Sequence, residues 1–236
     1  MLPFVSIVVP VHNCLKYTQQ FWANLPTSIG QEILIDNASD DGTMEWVVKN
    51  FSESSGFTYI LNKEPLSVAA SWNRGIQLAF GSGAMYVFVA NNDIVITPST
   101  IDILLRWKFQ GLDVPTVYAV PGLDPSILKS YNGPHELALP PDFCGFLVDT
   151  AIMNRVGDFD EEFKVAYIED IDWVLRAKMA KVKVAACLDA PVFHYGSRTI
   201  KEGNVDHMAA FEANSKYFIK KHGFDYEKAR QIISKP

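Results

Sequence analysis

Apolar residues fall in short unbroken runs through the first half of the chain: Val5-Ser6-Ile7-Val8-Val9, "EILID" (Glu32 to Asp36), "FTYIL" (Phe57 to Leu61) and "MYVFVA" (Met85 to Ala90). Between them the apolar positions recur at helical spacing, which predicts helices over about Lys16 to Asn24, Thr43 to Asn50, Val68 to Phe80 and Ser99 to Gln110. A strand covered on both faces reads as a continuous apolar run, so this alternation predicts a mostly parallel sheet with helices on both sides.

The second half is less regular. "TVYAV" (Thr116 to Val120) reads as a strand, and the Pro- and Gly-bearing stretch from Pro121 to Pro141 reads as loop. "FCGFLVD" (Phe143 to Asp149) predicts another strand, Thr150 to Val156 a short helix, and Tyr167 to Ala180 a longer one. Two short strands are expected near "KVKVAAC" and "APVFHY", then helices over Val205 to His222 and Tyr226 to Ile233. No break in composition divides the chain. A single domain, 1–236, is expected: a half over 1–120, a second half over 121–200, and C-terminal helices over 201–236.

Polar residues collect where three of these strands end: "PVHN", "DNASDDGT" and "NND". Each has an ordinary explanation, since Asn, Asp and Thr cap helices and make turns, as Asp41 and Thr97 would. Several at one edge of one sheet favour a ligand site, because open α/β sheets bind ligands at the carboxyl ends of their strands.

Three clusters carry candidate chemistry. Asn92 and Asp93 close the fourth strand, where a carboxylate beside amides suits Mg²⁺ or Mn²⁺ shared with a phosphate, or else a capped turn. Glu169-Asp170-Ile171-Asp172 opens a helix, where acids are favoured by the helix dipole. Residues two apart on a helix point in different directions, so Asp170, nearer the loop, is the candidate for a reacting group and Asp172 for a cap or a brace. "VFHYGSRT" ends an apolar strand on His194, either a metal ligand or a satisfied structural histidine.

Composition narrows the choice. The 236 residues carry a formal charge of −6, which gives no basic footprint and makes a nucleic-acid partner an unlikely expectation. Cys14, Cys144 and Cys187 are scattered, with no zinc or redox spacing. The N-terminus lacks a signal-like charge and apolar core, and no apolar run approaches the roughly 18 residues of a membrane span. A cytoplasmic protein is expected, with any membrane association peripheral.

Taken in order, "VSIVVPVHN", "ILIDNASDDGT", "SVAASWNRGIQLA", "YVFVANNDIVITP", "CGFLVDTAIMNRVGDFDEEF", "IEDIDWVLRAK" and "VFHYGS" resemble the family 2, GT-A-fold, inverting glycosyltransferases. The resemblance spans Phe4 to Ser197. It implies a nucleotide-diphospho-sugar donor, UDP- or dTDP-linked, and a hydroxyl acceptor on a saccharide, a lipid-linked saccharide or another molecule. By the same resemblance, Asp36 reads the pyrimidine N3–H, Pro10 and Val11 lie along the base, and Asn73 and Asn92 complete the nucleotide side. Asp93 and His194 hold Mn²⁺ or Mg²⁺, and Asp170 is the base. Gly145, Glu169, Asp172 and Arg198 fall on the side of the donor sugar, acceptor and diphosphate. Ser67 and Trp173 depart from the family's usual residues at their positions. The stretch 121–141 and the C-terminal helices are expected on the acceptor side, or the latter at a homodimer contact. A nucleotidyltransferase or an inactive sugar-nucleotide-binding relative is the alternative, although "PVHNCLKYT" lacks the glycine and arginine of a triphosphate loop.

Overall fold

A computed structural model describes residues 4–26, 29–120, 124–196 and 206–235. The expected rhythm is present as β1 (Val5–Val11), α1 (Leu15–Trp22), β2 (Gln31–Asp36), α2 (Thr43–Phe51), β3 (Phe57–Leu61), α3 (Val68–Gly81), β4 (Tyr86–Ala90) and α4 (Thr100–Phe109), with a short β5 (Ile94–Val95) after β4. There follow β6 (Val114–Ala119), a 3₁₀ turn (Pro125–Ser130), β7 (Leu137–Ala138), β8 (Gly145–Val148), α5 (Thr150–Val156), α6 (Glu169–Met179) and β9 (Val184–His194). Two helices close the described chain, α7 (His207–His222) and α8 (Tyr226–Ile233). The expected start of α7 at Val205 lies outside the described residues.

The strands form one sheet in the order β3-β2-β1-β4-β8-β6-β9-β5, with β7 on β9. The first four are parallel, and β8 is inserted antiparallel between β4 and β6. This is the mixed, mostly parallel α/β sheet expected of the GT-A type. Alternation along β1 divides the core between the two faces. Ile7 and Val9 pack with Phe21, Leu34 and Phe88 on one side, while Val8 joins Ile33, Trp72 and Phe146 on the other. Each such side chain contributes roughly 1.5–3 kcal/mol when fully buried. Helix α3 comes especially close, because a Cβ on Gly75 would lie 2.1 Å from Val8 Cγ1. Replacing Gly75 with alanine would push the helix off the sheet.

One expectation is corrected. The two short strands expected over "KVKVAAC" and "APVFHY" are a single strand, β9, with an irregularity. Between Thr116↔Ala186 and Tyr118↔Pro191, β6 advances two residues while β9 advances five. The bulge carries Asp189 to the side, where it accepts hydrogen bonds from Arg106 and Trp107 at 2.7 Å. Asp189 and Pro191 break the apolar run, which is why the sequence reads as two pieces.

The carboxyl ends of β1, β2 and β4 lie along one edge. Register fixes this, since Val11 pairs with Asp36 and Val8 with Val89. No helix among the described residues is long and apolar enough to cross a membrane.

Candidate active site

A cleft of about 690 Å³ opens at this edge. Its floor is the ends of β1 and β4, and its walls are the start of α3, the segment ahead of β8, the start of α6, and α7 and α8 through Phe211, Tyr226 and Arg230.

Pro10 and Val11 line one end of the cleft. Asp36 does not. It is fully buried, its Oδ1 accepting from the Ser39 amide at 2.9 Å and its Oδ2 from the Tyr59 hydroxyl at 2.6 Å. Burial and this carboxylate together push the Tyr59 phenol well above its ordinary range. The neighbouring Asn37 is the residue of the turn that reaches the cleft, braced by Asn62 and Ser71. Asn73 faces elsewhere. Its side-chain amide donates to the Phe159 carbonyl at 2.8 Å and its Oδ1 accepts from the Phe159 amide at 2.9 Å, which clamps α3 to the segment before α6. Asp36 and Asn73, expected from the sequence on the nucleotide side, are both turned toward protein partners.

At the end of β4, Asn92 borders the cleft while its amide donates to Thr18 Oγ1 at 3.0 Å. Asp93 is buried and lies beside His194, with 3.1 Å between Asp93 Oδ1 and His194 Nε2. The pairing of Ile94 with His194 across β5 and β9 brings them together. Burial lowers the His194 pKa, but the hydrogen bond and charge of Asp93, with Asp142, outweigh it and leave the imidazole above its ordinary value. The donor set suits a hard or borderline divalent cation. Two donors about 3 Å apart match adjacent ligands on an octahedron with bonds of about 2.1 Å. No group of three His, Cys, Asp or Glu suited to a metal occurs among the described residues, so further ligands would be amide or backbone oxygens, a substrate or solvent.

Gly145 is buried in β8 beneath the cleft rather than on it. A Cβ there would come within 3.1 Å of Val117 and 3.2 Å of Phe88, so the core demands its small size. Cys144 and Asp142, just ahead of it, do line the cleft. Asp142 accepts from the Cys144 amide at 3.0 Å, and its charge is felt by both His194 and Asp170. The sequence reading missed Asp142, since an aspartate before a strand looks like a turn residue.

The start of α6 is built under strain. Val165, Tyr167 and Ile168 have φ of 62°, 85° and 75°, a left-handed conformation that costs non-glycine residues energy. Asn214 of α7 over-determines it, with its amide nitrogen 3.0 Å from the carbonyls of Lys164, Ala166 and Tyr167. The Val68 amide also donates to the Val165 carbonyl at 2.8 Å, so the loop is tied to α3. The result delivers Glu169 and Asp170 to the cleft wall. Burial raises the Glu169 carboxyl to about 8, with the charge of Asp170 adding to it. Asp170 is also raised, chiefly by burial and against the hydrogen bond from the Ile171 amide.

Asp172 points the other way. Fully buried, it receives Arg176 Nε at 2.8 Å, Lys221 Nζ at 2.7 Å and His222 Nε2 at 2.7 Å. It is the brace between α6 and α7, and the sugar or acceptor position expected for it is not where the structure puts it. Arg198 lies outside the described residues.

Comparison with known proteins follows this geometry. Residues 6–163, more than half of the chain, match the profile of Glycosyl transferase family 2. No curated protein sequence matches the chain. Among solved structures, S. aureus TarS 1–349 in complex with UDP superposes with a TM-score of 0.59 at 14% identity, over 94% of this chain and 72% of that one. The same protein in complex with UDP-GlcNAc gives 0.59 at 14%, over 98% and 76%. The mannosyltransferase PcManGT from Pyrobaculum calidifontis, in complex with GDP-Man and Mn²⁺, gives 0.66 at 13%, over 99% and 68%. These likenesses share the fold.

Proposed function

Since this chain belongs to glycosyl transferase family 2 and is a glycosyltransferase, we propose that it moves a sugar from a nucleoside-diphosphate donor to an acceptor hydroxyl with inversion, using Asp170 as the base. The observation that carries this reading is the convergence of Asp93, His194 and Asp170 on one cleft at the carboxyl edge of the sheet. The structural neighbours bound to UDP, UDP-GlcNAc and GDP-Man support a nucleotide sugar as donor.

The base of the donor lies along Pro10 and Val11, beside Asn37. UDP- and dTDP-sugars are the proposed donors, from the family resemblance of the turn that ends β2, whose Asn37 reaches the cleft. Asp93 and His194 would hold Mn²⁺ or Mg²⁺, which when bound would supply charge neutralisation for the diphosphate. Asp170 accepts the proton of the acceptor hydroxyl as its oxygen bonds to the anomeric carbon. The bond from that carbon to the diphosphate oxygen breaks on the opposite side, and the electron pair leaves with the nucleoside diphosphate. Burial that raises Asp170 strengthens it as a base, since a proton acceptor works best with its pKa closer to the working pH. The acceptor enters from the side of Tyr226 and Arg230.

Calorimetry tests the donor site. UDP, dTDP, GDP and CDP are titrated with Mn²⁺ and with chelator into the wild type and Asp93→Ala. Metal-dependent binding of UDP or dTDP, lost in the variant, is the expected result. A folded wild type that binds none of the four would overturn the reading.

A further inference from the structure

Two buried side-chain polar atoms among the described residues have no hydrogen-bond partner, and both belong to residues that line the cleft: Trp72 Nε1 and Glu169 Oε2. Trp72 is 3% exposed and Glu169 6%. Folded proteins pair nearly all such atoms, so two unpaired ones in one cleft point to a ligand that pairs them.

Neither side chain is free to look elsewhere. The Trp72 ring is held edge-on by Phe146 and Phe159, with centroids 5.2 and 5.0 Å away. Glu169 follows the left-handed Tyr167 and Ile168, which Asn214 holds in place. Phe143 packs against both Trp72 and Trp173, one helical turn beyond Glu169, so α3 and α6 meet around one apolar wall.

The chemistry of the pair is selective. An indole N–H only donates, while a carboxyl oxygen accepts when ionised and can donate when protonated. A hydroxyl has one proton to give and two lone pairs, so it satisfies both atoms in either state of Glu169. A carbonyl pairs both atoms only while Glu169 holds its proton, whereas a hydroxyl does so in either state. Trp72 sits on α3, whose first residues Ser67 and Val68 line the cleft, and Glu169 adjoins Asp170. Both unpaired atoms thus belong to the wall of the same cleft that holds Asp170.

We infer that Trp72 and Glu169 form a hydroxyl-binding subsite for the sugar of the donor, with Trp72 a specificity-determining residue that selects a sugar with a free hydroxyl at this place. The inference rests on the nucleotide-sugar reading above.

The test compares UDP with UDP-glucose, dTDP with dTDP-glucose and GDP with GDP-mannose, each with Mn²⁺, in the wild type, Trp72→Phe and Glu169→Gln. Trp72→Phe keeps an aromatic ring and deletes the N–H, while Glu169→Gln keeps the shape of the acid. At least one sugar conjugate should bind the wild type more tightly than its parent nucleotide. Each variant should reduce that advantage by about tenfold, the worth of one good hydrogen bond, with affinity for the parent nucleotide unchanged. Unchanged parent affinity also shows that the variants fold. If the advantage is absent in the wild type, or survives in both variants, the inference fails while the donor reading stands. If none of the parent nucleotides binds the folded wild type, the donor reading fails and takes the inference with it.

Discussion

His194 meets Asp93 at 3.1 Å across 101 positions of sequence, and it does so because two residues of β5, Ile94 and Val95, pair with the end of β9. Metal affinity should therefore depend on both side chains. His194→Ala is expected to need at least about tenfold more Mn²⁺ for half-maximal nucleotide binding, since even a residue that only supports a ligand commonly costs 10–100-fold. A Mn²⁺ titration at fixed nucleotide checks this. An unchanged midpoint would remove His194 from the metal site.

Asp170 lines the cleft beside Glu169, and the role proposed for it is in chemistry rather than in nucleotide binding. Asp170→Asn should bind nucleoside diphosphate as the wild type does, while turnover falls by roughly 10²–10⁴, the usual contribution of a general base. Release of nucleoside diphosphate from the donor, measured beside calorimetry, reads both quantities. Wild-type turnover in the variant would require another base.

Glu169 makes the cleft a source of instability at alkaline pH. Its folded carboxyl is raised to about 8, against about 4.3 in an unfolded chain. Between those values the folded protein keeps a proton that the unfolded chain has released. Stability contributed by the neutral acid is thus present at low pH and declines as pH rises through this window. Glu169→Gln should melt close to the wild type at pH 5 and above it at pH 8.5. Equal melting temperatures at both pH values would show that Glu169 is not held neutral by its surroundings.

Asn214 holds the loop that presents these acids. Removing its side chain leaves the carbonyls of Lys164, Ala166 and Tyr167 and the amide of Lys164 without their partner. Asn214→Ala should cost about 1–3 kcal/mol in denaturant unfolding, the penalty of stranding buried polar groups. Turnover by the remaining folded protein should also fall, because Val165, Tyr167 and Ile168 are free to leave their left-handed conformations. Stability loss with full turnover would show that the strain does not place the acids.

The features legible in sequence are those whose signal is local. β1, β2 and β4 are covered on both faces for most of their length, so each is an apolar run, and Asp93 and Asp170 announce themselves by standing at a strand end and a helix start. β8 gives no sign that it enters the sheet antiparallel, because direction is set by which neighbours it meets. Trp72 reads as core, since an aromatic residue on an amphipathic helix almost always packs, and only the fold reveals that its N–H is left without a partner. The engagement of Asp36 and Asn73 by protein is hidden for a similar reason: their partners, Tyr59 and Phe159, lie 23 and 86 residues away. Nothing in the local pattern distinguishes a polar residue that waits for a ligand from one already engaged by distant chain.

Asp172 gives the sharpest contrast with its neighbour. Two residues from Asp170, it is fully buried among Arg176, Lys221 and His222, and it anchors α7, which in turn carries Asn214. Taking away the buried carboxylate strands His222 and weakens the hold on Arg176 and Lys221, which keep the Val156 and Asp158 carbonyls and Asp160 as partners, at a cost of about 1–3 kcal/mol. Asp172→Ala should therefore lose stability of that order, while the affinity of the folded fraction for donor nucleotide, measured at low temperature, stays close to that of the wild type. Asp170→Asn should behave in the opposite way, stable but inactive. If instead Asp172→Ala folds normally and loses turnover, the second aspartate of α6 acts on the substrate, and the arrangement of α6 against α7 changes when the substrate binds.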